Sequence, residues 1–121
     1  NDHLVALSSP LFDRGRLHRW THLAVVYDRA TSLVTFYVDG QRTESRDAHR
    51  HVPMEIGPAF IGLWNPDAAG SAQRNLHGRI DELAIFGRAL ASKEIQRMFE
   101  AGKPAGVQNN NHDTTRQRPV D

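Results

Sequence analysis

Asp81 and Glu82 stand side by side inside the apolar run Ile80, Leu83, Ala84, Ile85, where a purely structural strand has no use for two acids. Paired carboxylates can hydrolyse a glycosidic bond if both face it from about 5–10 Å apart. Successive strand residues point to opposite faces, so these two do not line one cleft. One acid is instead expected to accept backbone or arginine hydrogen bonds inside the domain. A calcium site would draw on Asp28, Asp39, Asn65, Asp67 or Asp81. These form no compact ligand run, and turn aspartates ordinarily close Asx turns, so calcium stays open and no metal ligand is assigned. His49 and His51 share one side of an extended segment, but two histidines without a third ligand seldom hold a metal, and solvated loop residues are the alternative. Trp64, Asn65, Asp67 and Asn75 could rim a sugar: an indole stacks on C–H groups while amides and acids take hydroxyls. The other reading puts Trp64 in the core and leaves Asn65-Pro66 to shape a turn. No nucleophile elbow, phosphate loop or zinc-protease helix occurs.

The elements that must position these residues are mostly strands, because alternation dominates as far as Gly87. Leu4-Val5-Ala6-Leu7 is one short strand. Asp13-Arg14-Gly15 is a turn. Residues 20–27 form the best strand, with Trp20 in the core; both of its faces are apolar from Leu23 to Val26, which suits a place near the middle of a sheet. After a turn at 28–32, residues 33–38 run back. Asp39-Gly40 supplies the positive φ of a tight hairpin, and the polar return strand 41–46 reads as an edge. The loop 47–51 is charged. Residues 52–56, 59–64 and 76–86 are three further strands, Pro53 fitting only an edge or a strand start. Ser92 is the expected N-cap of a short helix, with Glu94 in its first turn, Ile95, Met98 and Phe99 on one face, and Gly102 as its stop. Residues 103–121 have too few apolar side chains to order themselves and read as a linker or disordered tail. About six or seven short strands and one late helix predict an all-β antiparallel sandwich.

At 121 residues with fifteen basic and fourteen acidic side chains, the chain is at most one domain, with no field strong enough to seek nucleic acid or an anionic membrane. Its arginines are scattered rather than striped. Having no cysteine, it has no disulfide, thiolate zinc site or thiol chemistry. No run reaches the ~20 apolar residues of a membrane helix. No initiator methionine, basic n-region or apolar h-region opens the sequence at Asn1-Asp2-His3-Leu4, which reads as an internal point of a longer polypeptide.

Four ordered motifs add a resemblance. Trp20-Thr21-His22-Leu23-Ala24-Val25-Val26-Tyr27-Asp28, Tyr37-Val38-Asp39-Gly40, Phe60-Ile61-Gly62, and Gly78-Arg79-Ile80-Asp81-Glu82 followed by Arg88-Ala89-Leu90 and Ser92 to Ile95 resemble the successive strands of bacterial LamG-like domains. These are concanavalin A-like lectin/glucanase jelly rolls. The likeness covers roughly residues 15 to 102 of this chain and implies a jelly-roll β-sandwich over residues 1–102. Domains of this kind run to ~160–200 residues, within the range of a single sandwich, so the first strands are expected to be absent and sheet edges open. The Leu63-Trp64-Asn65-Pro66 turn and the following Arg74-Asn75-Leu76 are similar to LamG-like domains appended to bacterial FecR-like envelope regulators. The glucanase relatives carry acids at alternate positions of one strand, and Arg79-Ile80-Asp81-Glu82-Leu83-Ala84 lacks that pattern.

The resemblance implies a noncatalytic recognition or adhesion module, extracytoplasmic (periplasmic or cell-surface) in a bacterium, with Trp64, Asn65, Asp67 and Asn75 at the rim and a glycan or protein as ligand. A FecR-like parent would make it part of a transmembrane signalling chain. A structural module that self-associates through open strand edges is a second class, and a carbohydrate-active enzyme a third.

Overall fold

The computed structural model describes residues 8–11, 13–62 and 76–103. A single 3-10 turn, Arg14–Arg16, precedes three antiparallel strands: β1 (Leu23–Asp28), β2 (Leu33–Val38) and β3 (Gln41–Asp47). They form one sheet in the order β1-β2-β3. The helix α1 (Ser92–Gly102) follows. The described residues thus contain one sheet rather than the two of a full sandwich, and the expected strand 4–7 lies outside them.

The middle strand is β2, and the burial follows from that. Val34, Phe36, Tyr37 and Val38 are all buried. Val34 and Phe36 lie opposite Tyr27 and Val25 of β1, and Val34, Phe36 and Ala48 form an apolar cluster with Tyr27 packed against it. β1, expected near the middle of a sheet, is an outer strand among the described residues: Leu23 is 45% and Val25 62% exposed. Its two-sided apolar pattern describes a strand built to be covered, not one that is covered here. Trp20 is likewise exposed rather than in the core, because the strand begins three residues later, at Leu23, and leaves the indole outside the ladder.

The β2–β3 hairpin is closed by Asp39 (φ 50°) and Gly40 (φ 77°). Two successive positive φ values match the twist of a two-residue turn to that of its strands. β3 carries one residue too many: Phe36 pairs with Glu44 and Tyr37 with Arg42, so Thr43 bulges, and its hydroxyl donates to the Phe36 carbonyl at 3.1 Å. A bulge together with charged side chains is how an edge strand avoids unwanted pairing, and among the described residues β3 is the edge its polar sequence predicts.

α1 docks against the sheet near this hairpin. Ile95 is 2% exposed, Phe99 lies 5.9 Å from the His22 ring between centroids, and the Tyr37 and Ser92 hydroxyls share a hydrogen bond of 2.8 Å. Gly40 is needed here twice over. Besides its left-handed φ, a Cβ on it would come within 3.0 Å of Phe99. The helix starts one residue earlier than expected, with Ala91 as N-cap and Ser92 its first helical residue. Ala91 has no side chain to cap with, so only the reciprocal half of a capping box forms: Glu94 Oε2 accepts from Ala91 N at 2.8 Å. The Ser92 hydroxyl is thereby released to meet Tyr37.

Residues 52–62 and 76–86, three strands by their alternation, make no ladder among the described residues and are exposed throughout. Alternation selects a face, but a strand exists only when a neighbouring backbone takes its N–H and C=O groups.

Candidate functional site

The residues expected to rim a ligand, Trp64, Asn65, Asp67 and Asn75, all lie outside the described residues. The base of the loop carrying them is described: Leu76 N–H donates to the Gly62 carbonyl at 2.7 Å. Gly62 has φ 71° and its α-carbon backs closely onto the Leu76 side chain. The two ends of the loop are therefore pinned together.

Elsewhere the carboxylates that draw attention in the sequence hold the backbone. Asp28 accepts from Ala30 N at 2.9 Å and from the Thr31 hydroxyl at 3.0 Å, the Asx turn its position predicts. Asp39 takes His22 N–H at 3.0 Å on one oxygen and the Arg16 guanidinium at 2.8 Å on the other. It so ties the segment before β1 and the 3-10 turn to the hairpin. Asp47 accepts from His49 N at 2.6 Å; that backbone bond, with the Ser32 hydroxyl next, outweighs desolvation and holds its pKa below the ordinary carboxylate value. Glu44 accepts both the backbone N–H and the hydroxyl of Ser9, and pairs with Arg46 at 2.7 Å. The Ser9 N–H is the chief reason its pKa is lowered. Arg88 grips Glu94 with both nitrogens, at 2.9 and 2.6 Å. That grip, with the Ala91 N–H, brings the Glu94 pKa from 4.5 to about 2 and raises that of Arg88.

Asp81 and Glu82 behave otherwise. Both are exposed, and neither takes up the internal hydrogen bonds expected of one of them among the described residues, since the segment bearing them stands clear of the sheet. His49 and His51 part company too. His51 Nδ1 meets the Arg29 carbonyl at 2.9 Å, while His49 lies 3.6 Å from Asp47. Among the described residues no three His, Asp or Glu side chains come together as a metal site would require.

A corner missed by sequence reasoning lies under the β1–β2 turn. Ser32, buried at φ 59°, accepts Ala48 N–H on its carbonyl at 2.7 Å and Arg50 N–H on its hydroxyl at 2.8 Å. The Tyr27 hydroxyl donates to the carbonyls of Arg50 and Val52, at 3.0 and 2.7 Å. Together they carry the chain from β3 across the end of the sheet to the side of β1. The signal available was a serine where glycine or asparagine would relax the turn. A shallow recess of about 190 Å³ lies between Ser9, Pro10, Leu11, Arg16, Val38, Thr43 and Glu44. It falls short of the ~300 Å³ at which small-molecule sites begin, and its charged groups are already paired with Asp39, Ser9 and Arg46.

Sheet, hairpin and late helix agree with the comparisons. Residues 13–96 match the family model Laminin_G_3, described as the Concanavalin A-like lectin/glucanases superfamily. The chain belongs to that superfamily. Among solved structures, this superfamily member is similar to an S-layer domain-containing protein of Clostridium thermocellum (its residues 221–444), with TM-score 0.57 and 24% sequence identity. The alignment covers 76% of this chain and 43% of that one, so the chain spans less than half of its solved neighbour, and at this identity the likeness is one of fold. A search of curated proteins returns no match. Among the described residues no helix is long and apolar enough to cross a membrane.

Proposed function

We propose that this chain is part of a noncatalytic recognition module that binds a glycan or a protein on the extracytoplasmic side of a bacterial envelope. The observation that carries the reading is the use to which the carboxylates are put. Asp28, Asp39, Glu44, Asp47 and Glu94 each hold a backbone N–H, which is scaffold work rather than acid–base work. Superfamily membership supports binding, and the S-layer neighbour's name fits a cell-surface setting. In this reading the module spans residues 1–102, completed as a jelly-roll sandwich, and 103–121 is a linker or disordered tail. Trp64, Asn65, Asp67 and Asn75 rim the ligand on the loop pinned by Gly62 and Leu76, and the parent is FecR-like, so that binding feeds a signal across the envelope. Glycan-array binding of the chain with calcium and with chelator tests this. Binding to one glycan class that Trp64→Ala removes would sustain it. Silence in both conditions from a folded sample would sink the glycan form and leave a protein ligand.

A second reading, assembly through open strand edges, is favoured by β1, whose Leu23 and Val25 are exposed on an outer strand.

A further inference from the structure

Asp39-Gly40 is the one place in the sequence where an aspartate or asparagine precedes a glycine, and that pair has a reactivity of its own. The backbone nitrogen next in line can attack the side-chain carboxyl, and a glycine, having no Cβ, leaves the approach open. Asp13, Asp28, Asp47 and Asp81 are followed by Arg14, Arg29, Ala48 and Glu82, whose side chains crowd the same approach. The Gly40 N–H is also uncommitted: it makes no hydrogen bond among the described residues, the ladder closing at Val38 and Gln41. The carboxyl is not free. One oxygen accepts His22 N–H at 3.0 Å and the other meets Arg16 Nη1 at 2.8 Å, while the Asp39 N–H donates to the His22 carbonyl at 2.9 Å. We infer that Asp39-Gly40 is a latent isoaspartate site, a modification held in check by the clamp that Arg16 and His22 place on the Asp39 carboxyl.

The chemistry needs no reagent but water. The Gly40 nitrogen bonds to Asp39 Cγ, a C–O bond of the protonated carboxyl breaks, and the oxygen leaves as water with the acid proton and the amide proton. The cyclic imide then takes up water. Opening at the Asp39 α-carbonyl breaks its bond to the Gly40 nitrogen, so the chain runs on through Cγ and a free α-carboxyl is left behind. The first step requires the carboxyl to turn and to release an oxygen. In the fold each oxygen has a donor on a different segment, the 3-10 turn and the residue before β1, and both must let go together. The Asp39 side chain is 28% exposed, so water reaches the imide once it forms. The product puts an extra carbon into a two-residue turn whose Gly40 lies tight against Phe99. Isomerisation therefore unlatches the 3-10 turn and α1 from the hairpin together.

The test is to incubate the 121-residue chain for weeks at neutral pH, folded and in urea, and to map isoaspartate by peptide mass spectrometry with electron-transfer fragmentation. In urea Asp39 should isomerise ahead of every other aspartate. In the folded chain it should be at least ~10-fold slower than in urea, its carboxyl being held out of the attacking geometry. Arg16→Ala should raise the folded rate about fivefold, the worth of a half-exposed charge pair, and leave the urea rate unchanged. Arg14→Ala, in the same turn, should change neither, and Arg16→Lys, which keeps the charge, should fall between. Circular dichroism establishes that each variant is folded. A folded rate unmoved by Arg16→Ala overturns the clamp. Asp39 isomerising as fast in the folded native chain as in urea, or after another aspartate in urea, overturns the inference whether or not Arg16→Ala folds.

Discussion

Residues 33–38 and 80–86 are both largely apolar, the second interrupted by Asp81 and Glu82, yet one lies buried at the centre of the sheet and the other stands in solvent. In β2, Phe36 is 6% exposed, flanked by a strand on each side. In the later stretch Ile85 is 66% exposed and has no backbone neighbour among the described residues. Two acids apart, the difference lies in the neighbours. β2 is reached by two hairpins that close within a few residues, whereas nothing local delivers a partner to residues 80–86. Short-range turns make part of a sheet self-sufficient, and long-range pairing leaves the rest dependent on what it meets.

The sharpest way to break this comparison is to truncate one aromatic on each side. Phe36→Ala should cost about 3–5 kcal/mol, while Phe60→Ala, 64% exposed in the native chain, should stay within about 0.5 kcal/mol. Urea titration followed by circular dichroism reads both, and equal losses would mean that residues 52–62 are packed in solution. Gly40→Ala comes next, at about 2–4 kcal/mol, from left-handed strain together with the Cβ driven into Phe99. Its thermal transition should fall and the helix should lose amide protection ahead of the sheet. Tyr27→Phe tests the corner joining the two regions. Losing the donor to Arg50 and Val52 should cost about 1 kcal/mol, and residues 48–56 should be cleaved faster by protease. The smallest effect is on acidification. The Glu94 pKa is lowered in the folded chain, so its contribution is complete above 4.5 and disappears as pH falls from 4.5 to about 2. Helical ellipticity should decline across that window, and Arg88→Met should flatten the decline.

Local features were readable from the residues alone. Asp39-Gly40 announced its hairpin because few dipeptides accept positive φ twice, and Ile95, Met98 and Phe99 announced the helix face that docks. β3 was readable as an edge from its charges. The position of β1 was not, because an apolar strand records how it is meant to be covered and not by what. Residues 52–56, 59–62 and 76–86 make no ladder among the described residues for the same reason, as alternation carries no information about a partner. Ser92 was mistaken for a cap because its competing bond comes from Tyr37, 55 residues earlier in the chain. Of the candidate site, Asp28 and Asp39 could be recognised as turn acids, whereas Trp64, Asn65, Asp67 and Asn75 lie outside the described residues.

The fork between Arg88 and Glu94 also decides where mechanical tension goes. Residues 76–87 lead directly into Arg88, whose two bonds to Glu94 pass any pull into the first turn of α1. From there the Ser92–Tyr37 hydrogen bond shares the load with β2, beside the packing of α1 against β3 and of Phe99 against the hairpin. A tug on that exposed stretch is therefore felt where α1 meets the sheet, at the closed end of the β2–β3 hairpin.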